Sequence, residues 1–540
     1  MKTRININPL FLFLCGSLAL TSVILLTTGP FPFTHTHFTR TTQTAEKSIL
    51  FPREGTISKK QTITLIDSRK TLWYSLDGGD SYTEASSALD LHELRNASII
   101  EKTTSIRWHH PEGDFPILWS IPVIVKDHEK KTVSDPLILT YLDSTLADGK
   151  VISLSIKNSD LFDEQKGIMV YGESSWIDSG FYKEWWYRSA NFSERGSAWE
   201  RPANMKYFED GKLRFEHDCG LRISGNATRY FPQKSLRLYA TDSEGEATFD
   251  YPFWGKEGIK KSGSLLLRNG GNDNTRTMFA DLLMHRISRN SNVLTLEGEP
   301  VSVYINGNYW GVYEIRERID EHTIAEKTDV KSKDVTILDA PNGTLKAGEE
   351  KDRDEFLALV AEIKKSTLDP EKVFKRASEK INMQSFIDYI ILETFFANPD
   401  WPENNCTWYK TEKHKWSWIL YDLDLGLSYK EENLKANVFD RLASGHTVTA
   451  DLFNALRRSQ SFMNDLRQNV KKMLETQLSE RNIRHVFDEL LKEYEPHMLL
   501  EIKRWHSITS ISAWKKDANA NLDFLILRRE LYQQQIDALK

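Results

Sequence analysis

Two short stretches hold residue types that could do chemistry on a phosphate group. In Asn398-Pro399-Asp400-Trp401-Pro402-Glu403-Asn404-Asn405 an aspartate stands five positions ahead of an asparagine. After two strand-like runs, Thr407–Lys410 and Trp416–Tyr421, comes Asp422-Leu423-Asp424-Leu425-Gly426. A hydroxyl nucleophile needs a nearby carboxylate to orient it and take its proton, and Asp400 is the candidate. Mg²⁺ takes hard oxygen ligands, which the Asn405 amide and the carboxylate of Asp422 or Asp424 can supply. Carboxylates before turns are common, so this spacing alone is a weak signal.

A third stretch runs from Cys219 to Leu238 and reads strand, small polar turn, strand. The turn Ser224-Gly225-Asn226-Ala227-Thr228-Arg229 is followed by Lys234 at the opening of the second strand. Backbone N–H groups in such a turn can cradle phosphate oxygens, and a lysine adds a point charge. The ordinary alternative is a hairpin with basic surface residues. Protein kinases use the order helix, Asp-x-x-x-x-Asn loop, β-hairpin, metal-binding Asp. Here the His-Arg that precedes the kinase Asp is missing, and no G-x-G-x-x-G or Walker motif occurs.

The elements that must position these residues can be read from periodicity. Asn382 can cap a helix carrying Phe386, Ile387, Ile390, Ile391 and Phe395 on its way to the first loop. From about 150 to 320 strands dominate, interrupted by one helix from Arg276 to about Ser288 that Asp273 or Thr275 can cap. From about 352 onward helices dominate, and Asp451–Lys540 is a set of amphipathic helices. A β-rich first half and a helical second half make an α+β pattern. Between 51 and 145 short alternating runs separated by turns such as Asp77-Gly78-Gly79-Asp80 suggest a small β-sandwich. There Leu72-Trp73-Tyr74-Ser75-Leu76-Asp77-Gly78 resembles the Ig-like modules appended to secreted carbohydrate-active enzymes.

Residues 31–50 are rich in Thr and read as a linker. Before them Lys2 and Arg4 precede an apolar run from Pro9 to about Thr28, within residues 1–30. At roughly 20 residues it is long enough to cross a bilayer. The preceding positive charge favours an orientation that leaves the rest of the chain outside the cytoplasm. A cleaved signal peptide is the competing expectation. The formal net charge of -6 on 540 residues gives no sign of nucleic-acid binding. Cys219 and Cys406 lie outside the N-terminal segment, and they are expected as two independent thiols rather than one disulfide or a zinc site.

From about residue 150 to about 510 the chain resembles the CotH kinase family of atypical kinases. The resemblance rests on ordered blocks. These are Leu161-Phe162-Asp163 with Gly167-Ile168-Met169-Val170, then Trp199-Glu200-Arg201-Pro202, then Gly225-Asn226-Ala227-Thr228-Arg229 with Lys234-Ser235. Next come Asp273-Asn274-Thr275-Arg276 and Tyr304-Ile305-Asn306-Gly307 with Tyr309-Trp310-Gly311-Val312-Tyr313 and Glu317. The blocks end with Asp400, Asn405, Asp422-Leu423-Asp424 and Arg504-Trp505. Three departures stand out: Ser224 where the family has Arg, Cys406 where it has an aromatic, and Tyr421 where it has Trp.

The resemblance implies an α+β, bilobal kinase-like domain over 150–540, with ATP and Mg²⁺ or Mn²⁺ as cofactors. It implies Asp400 as catalytic carboxylate, with Asn405, Asp422 and Asp424 at the metal. Lys234 and Arg229 would contact ATP phosphates, and Glu317 would lie near the adenine or pair with Arg316 or Arg318. An acidic partner for Lys234 would sit on the helix after Arg276, where Asp281 is available. The substrate would be Ser or Thr of the protein itself or of a neighbouring protein. The competing expectations are an inactive scaffold of the same fold and a surface protein whose Ig-like module binds carbohydrate or protein. ATP is scarce outside the cytoplasm, which sets the expected topology against the expected phosphate donor.

Overall fold

The computed structural model describes residue 50 onward, apart from several stretches between 52 and 147, residues 174–188 and 242–246, and residue 540. The apolar run of the first 30 residues lies outside the described residues. Among those described, no helix is long and apolar enough to cross a membrane.

The chain is a mixed α+β protein. Two small sheets come first. One runs Gly55–Ile57, Leu137–Asp143, Leu118–Asp127, Lys70–Tyr74, Thr83–Glu84, and the other joins Leu50–Phe51, Thr62–Leu65 and Ala88–Asp90. Residues from both meet in one apolar cluster that includes Ile63, Leu72, Leu89, Trp119 and Tyr141.

Seven strands then close a barrel. They are β1 (Lys150–Ser155), β2 (Arg201–Glu209), β3 (Lys212–Ile223), β4 (Leu236–Ala240), β5 (Ser264–Arg268), β6 (Gly298–Ile305) and β7 (Asn308–Arg316). The order is β1-β2-β3-β4-β5-β7-β6, and β6 closes on β1 in parallel. Side chains alternate across a strand. Leu221, Ile223, Leu236, Leu238, Leu265, Leu267 and Ile315 therefore fill the barrel. The intervening Arg222, Arg237, Leu266, Arg268, Glu314 and Arg316 share the outer face, since Arg222 pairs with Arg237, Arg237 with Leu266, Leu266 with Arg316 and Arg268 with Glu314. The β6–β7 hairpin turns on Asn306-Gly307, both at positive φ (48° and 80°), as a two-residue Asn-Gly loop requires.

Helix α1 (Ala280–Ile287) lies against this outer face, and it starts four residues later than the sequence suggests. Residues 271–275 form a 3₁₀ turn instead. Neither Asp273 nor Thr275 takes the N-cap position, which falls at Phe279; Asp273 instead reaches forward from the preceding turn to accept from the Ala280 N–H at 3.1 Å and the Thr277 N–H at 3.3 Å. Val312 of β7 joins α1 in the large apolar core of the helical part. That core surrounds α2 (Met383–Phe396), whose cap Asn382 accepts from the Ser385 N–H as expected. A four-stranded sheet of β8 (Val335–Asp339), β9 (Thr344–Ala347), β10 (Thr407–Thr411) and β11 (Ser417–Ile419) runs in the order β9-β8-β10-β11. Helices α3 (Glu480–Trp505) and α4 (Ile511–Ala538) complete the chain.

Helix α3 ties the helical part to the barrel. Trp505 Nε1 donates to the Trp310 carbonyl at 2.8 Å, and Glu501 accepts from the Val312 N–H at 2.6 Å. Gly311 lies at φ +122°, where a Cβ would overlap Trp505, Gln233 and Glu501. Two distant blocks of the sequence motif, Tyr309–Tyr313 and Arg504-Trp505, therefore meet because the strand has no side chain between them. Both Cys219 and Cys406 are buried and unpaired, as expected.

Glu501 has no exposed surface. Burial pushes its carboxyl up from 4.5 to about 8, against the Val312 hydrogen bond and nearby Arg504. Between those values the folded chain keeps a proton that the unfolded chain has lost, so stability falls as pH rises through that window. Glu501→Gln is expected to flatten this fall in denaturant titrations run from pH 4.5 to 8. A slope matching the unmodified protein would show that Glu501 titrates normally.

Candidate functional site

The two chemistry-bearing loops meet at one backbone atom. The Asp422 carbonyl accepts from Asn405 Nδ2 at 3.2 Å and from Asn398 Nδ2 at 3.3 Å. The first loop is held from beneath. Helix α2 ends at Ala397 in the left-handed region. Asn398 then accepts from the Asp400 N–H at 3.2 Å, and Arg441 donates to the Asn398 carbonyl. Trp401 is fully buried, and its Nε1 donates to the Tyr389 hydroxyl at 2.9 Å. Leu294 fixes the second loop by exchanging backbone hydrogen bonds with Trp418 and Leu420. Asn405 (φ 56°) and Asp422 (φ 52°) both sit in the left-handed region, which few residues other than glycine adopt. Such strain concentrates where the surrounding fold must hold a side chain in one place.

The carboxylates differ in their surroundings. Asp424 is fully engaged. Its Oδ2 accepts from Arg268 Nη2 at 2.5 Å and the Asn272 N–H at 2.9 Å, and its Oδ1 accepts from Asn272 Nδ2 at 2.9 Å. Gly271 (φ +63°) lets this carboxylate lie against the turn, because a Cβ there would overlap Asp424 Oδ2. Asp422 Oδ1 accepts from the same Arg268 Nη2 at 2.8 Å. Burial, then repulsion from Asp422, raises the Asp424 pKa, while Arg268 opposes the rise. Burial followed by Asp422 also raises the Asp400 pKa, partly offset by Lys430 and Arg441.

Arg268 is the cation of this site, and neither spacing nor motif singled it out. It ends β5 on the outer barrel face, beside Arg316. Asp281 of α1 pairs with Arg316 and accepts from the Leu423 N–H at 2.6 Å. Burial opposes the charge on Asp281, but Arg316, Arg268 and His285 outweigh it and hold its pKa below the usual carboxylate range. Asp281 thus braces the Asp422-Leu423-Asp424 turn and makes no ion pair with Lys234.

The other expected residues are not brought to these carboxylates. Lys234 has no exposed surface, and its ammonium donates to the carbonyls of Arg229 at 2.7 Å and Phe231 at 3.0 Å while lying 3.8 Å from the centre of the Phe192 ring. Burial, then Arg229, holds its pKa well below the usual lysine value. Arg229 is spent on the carbonyls of Gly225, Phe192 and Glu194. Glu317 is buried and pairs with Lys327 at 2.7 Å, rather than with Arg316 or Arg318, while accepting from the N–H groups of Ile259 and Glu297.

The α+β domain thus pins the loop of Asp400 and Asn405 to the Asp422-Leu423-Asp424 turn. The family model described as CotH kinase protein matches residues 221–532, more than half of the chain, and the protein belongs to the CotH kinase family. No curated protein matches the chain in sequence.

Removing one partner of a buried ion pair strands the other charge, at about 3–5 kcal/mol. Asp281→Ala is expected to cost about that much in urea unfolding, because among the described residues Arg316 then keeps Glu314 alone as a carboxylate partner, at 3.2 Å. The double variant Asp281→Leu/Arg316→Met is expected to lose less. Equal losses would mean that the pair is not what holds α1 to β7.

Proposed function

We propose that the protein transfers the γ-phosphoryl group of ATP to a Ser or Thr hydroxyl, on itself or on a neighbouring protein. The observation that carries this reading is the hydrogen bond from Asn405 Nδ2 to the Asp422 carbonyl, which ties the loop of Asp400 and Asn405 to the Asp422-Leu423-Asp424 turn. Asn405 Nδ2 is used in holding Asp422, which leaves the amide oxygen as a donor. Asp422 and Asn405 would hold the divalent ion, and Asp424 braces the turn through its bonds to Arg268 and Asn272. Among the described residues no group of three or more His, Cys, Asp or Glu side chains is arranged to hold a metal ion by itself. A hard cation bound through one or two carboxylates and completed by phosphate oxygens matches this donor set. When bound, Mg²⁺ or Mn²⁺ would neutralise charge on the transferring phosphoryl group.

Asp400 would orient the acceptor hydroxyl and take its proton as the oxygen attacks the γ-phosphorus and the bond to the β-phosphate oxygen breaks. Its raised pKa makes it a better proton acceptor than an exposed aspartate. The barrel and the helical part are read as the two lobes of the kinase-like domain. The sheets before residue 145 are read as an Ig-like module, and the chain as working outside the cytoplasm, held there by its N-terminal segment.

A second reading, an inactive scaffold, is favoured by one observation: Arg268 bonds both aspartates while Lys234 is sealed in the barrel. One experiment separates the two. The purified protein is incubated with γ-labelled ATP and Mg²⁺ or Mn²⁺ beside Asp400→Asn and Asp422→Asn. Incorporation by the unmodified chain is expected, with at least about a 10²-fold loss in each variant at unchanged circular dichroism. No label, or equal label in all three, rejects the phosphotransfer reading.

A further inference from the structure

The outer barrel face carries a second feature that the two-loop site does not use. Where β3 and β4 run side by side, a cavity of about 120 Å³ opens between them and the segment around Arg195–Trp199. Four arginines line it: Arg195, Arg222, Arg229 and Arg237. Arg222 and Arg237 are cross-strand partners, a like-charge pairing that is unfavourable unless something offsets it. Two carboxylates border the cavity. Glu200 is consumed by Arg222, at 2.7 Å to Nε and 2.5 Å to Nη2, and Glu194 is exposed at the rim.

The other three guanidiniums have no carboxylate partner among the described residues. Arg195 donates to Asn226 Oδ1 at 3.1 Å, and Arg229 donates only to backbone carbonyls. Arg237 gives Nη1 to the Tyr239 hydroxyl at 3.0 Å, and its buried Nε has no hydrogen-bond partner. Burial is the main reason the Arg229 pKa falls to about 10, and Arg195 and Arg237 lower it further. The three charges therefore repel one another across a shared space. Tyr239 stiffens the arrangement, with the Arg222 guanidinium 4.2 Å from its ring centre.

We propose that this cavity is an oxyanion subsite that takes one phosphoryl group, distinct from the Asp422–Asn405 position. Planar guanidinium forks match phosphate oxygens. The volume is well under the roughly 300–1,000 Å³ of a pocket for a drug-sized ligand, so it fits a phosphate rather than a nucleoside. On the same face Arg268 lies one strand over from Arg237 and two residues beyond its partner Leu266. The subsite thus flanks the carboxylates without sharing a residue with them. The phosphoryl group can come from a free phosphate or pyrophosphate, or from the phosphate tail of a nucleotide.

The test is calorimetric titration of the full chain with inorganic pyrophosphate in metal-free buffer, beside Arg237→Gln, Arg195→Gln and the exposed control Lys372→Gln. Saturable binding is expected. It should weaken with added salt and fall about tenfold, the equivalent of about 1.4 kcal/mol, in each arginine variant. Lys372→Gln should bind as the unmodified chain does. Because binding is read without metal or turnover, failure of the subsite and failure of the kinase reading are told apart. A competition arm with ADP identifies the source: displacement of pyrophosphate points to a nucleotide tail, and independent binding points to a free oxyanion. Absence of binding, or equal weakening by Lys372→Gln and the arginine variants, overturns the subsite.

Discussion

One guanidinium joins the two halves of this protein. Arg268 stands at the end of a barrel strand and bonds both aspartates of a turn more than 150 positions later in the chain. A buried cation between two carboxylates lowers the repulsion that would otherwise force one of them to keep a proton. Asp281 then balances Arg316 on the neighbouring strand and holds the backbone of the same turn. The network of Arg268, Arg316, Asp281, Asp422 and Asp424 is thus both the seam between barrel and helices and the electrostatic floor of the site. A change to any member alters packing and chemistry together.

The contact between the Asn405 loop and the Asp422 turn was legible in the order of elements, because a buried helix, a short loop and a hairpin leave little freedom in where the two loops end. Asn382 was legible as a cap because a cap needs only a local side-chain acceptor. The start of α1 was not, since residues 271–275 tighten into a turn that lets Asn272 reach Asp424 across the seam. Arg268 gave no signal in the sequence. It ends an apolar strand, Ser264-Leu-Leu-Leu-Arg268, and its meaning lies in partners far along the chain.

Lys234 shows the opposite failure. A lysine after a polar turn suggests an exposed charge, yet the hairpin folds its own carbonyls around the ammonium and lays it over Phe192. Burial of this kind serves the barrel, because the lysine satisfies carbonyls that the irregular turn leaves unpaired. Glu317 is similar: its two oxygens take the N–H groups of Ile259 and Glu297 beside the Lys327 pair. In both cases a charged side chain that looks functional in sequence is absorbed by backbone groups nearby.

The two buried cysteines have a consequence for handling the molecule. Cys219 lies in the barrel core and Cys406 in the helical core. Desolvation raises both thiols well above their ordinary range, so little thiolate exists at neutral pH. Folding of the described residues therefore asks nothing of an oxidant. Alkylating reagents and mild peroxide should pass these positions by for as long as the native packing persists, and reagent uptake at them reports on its loss.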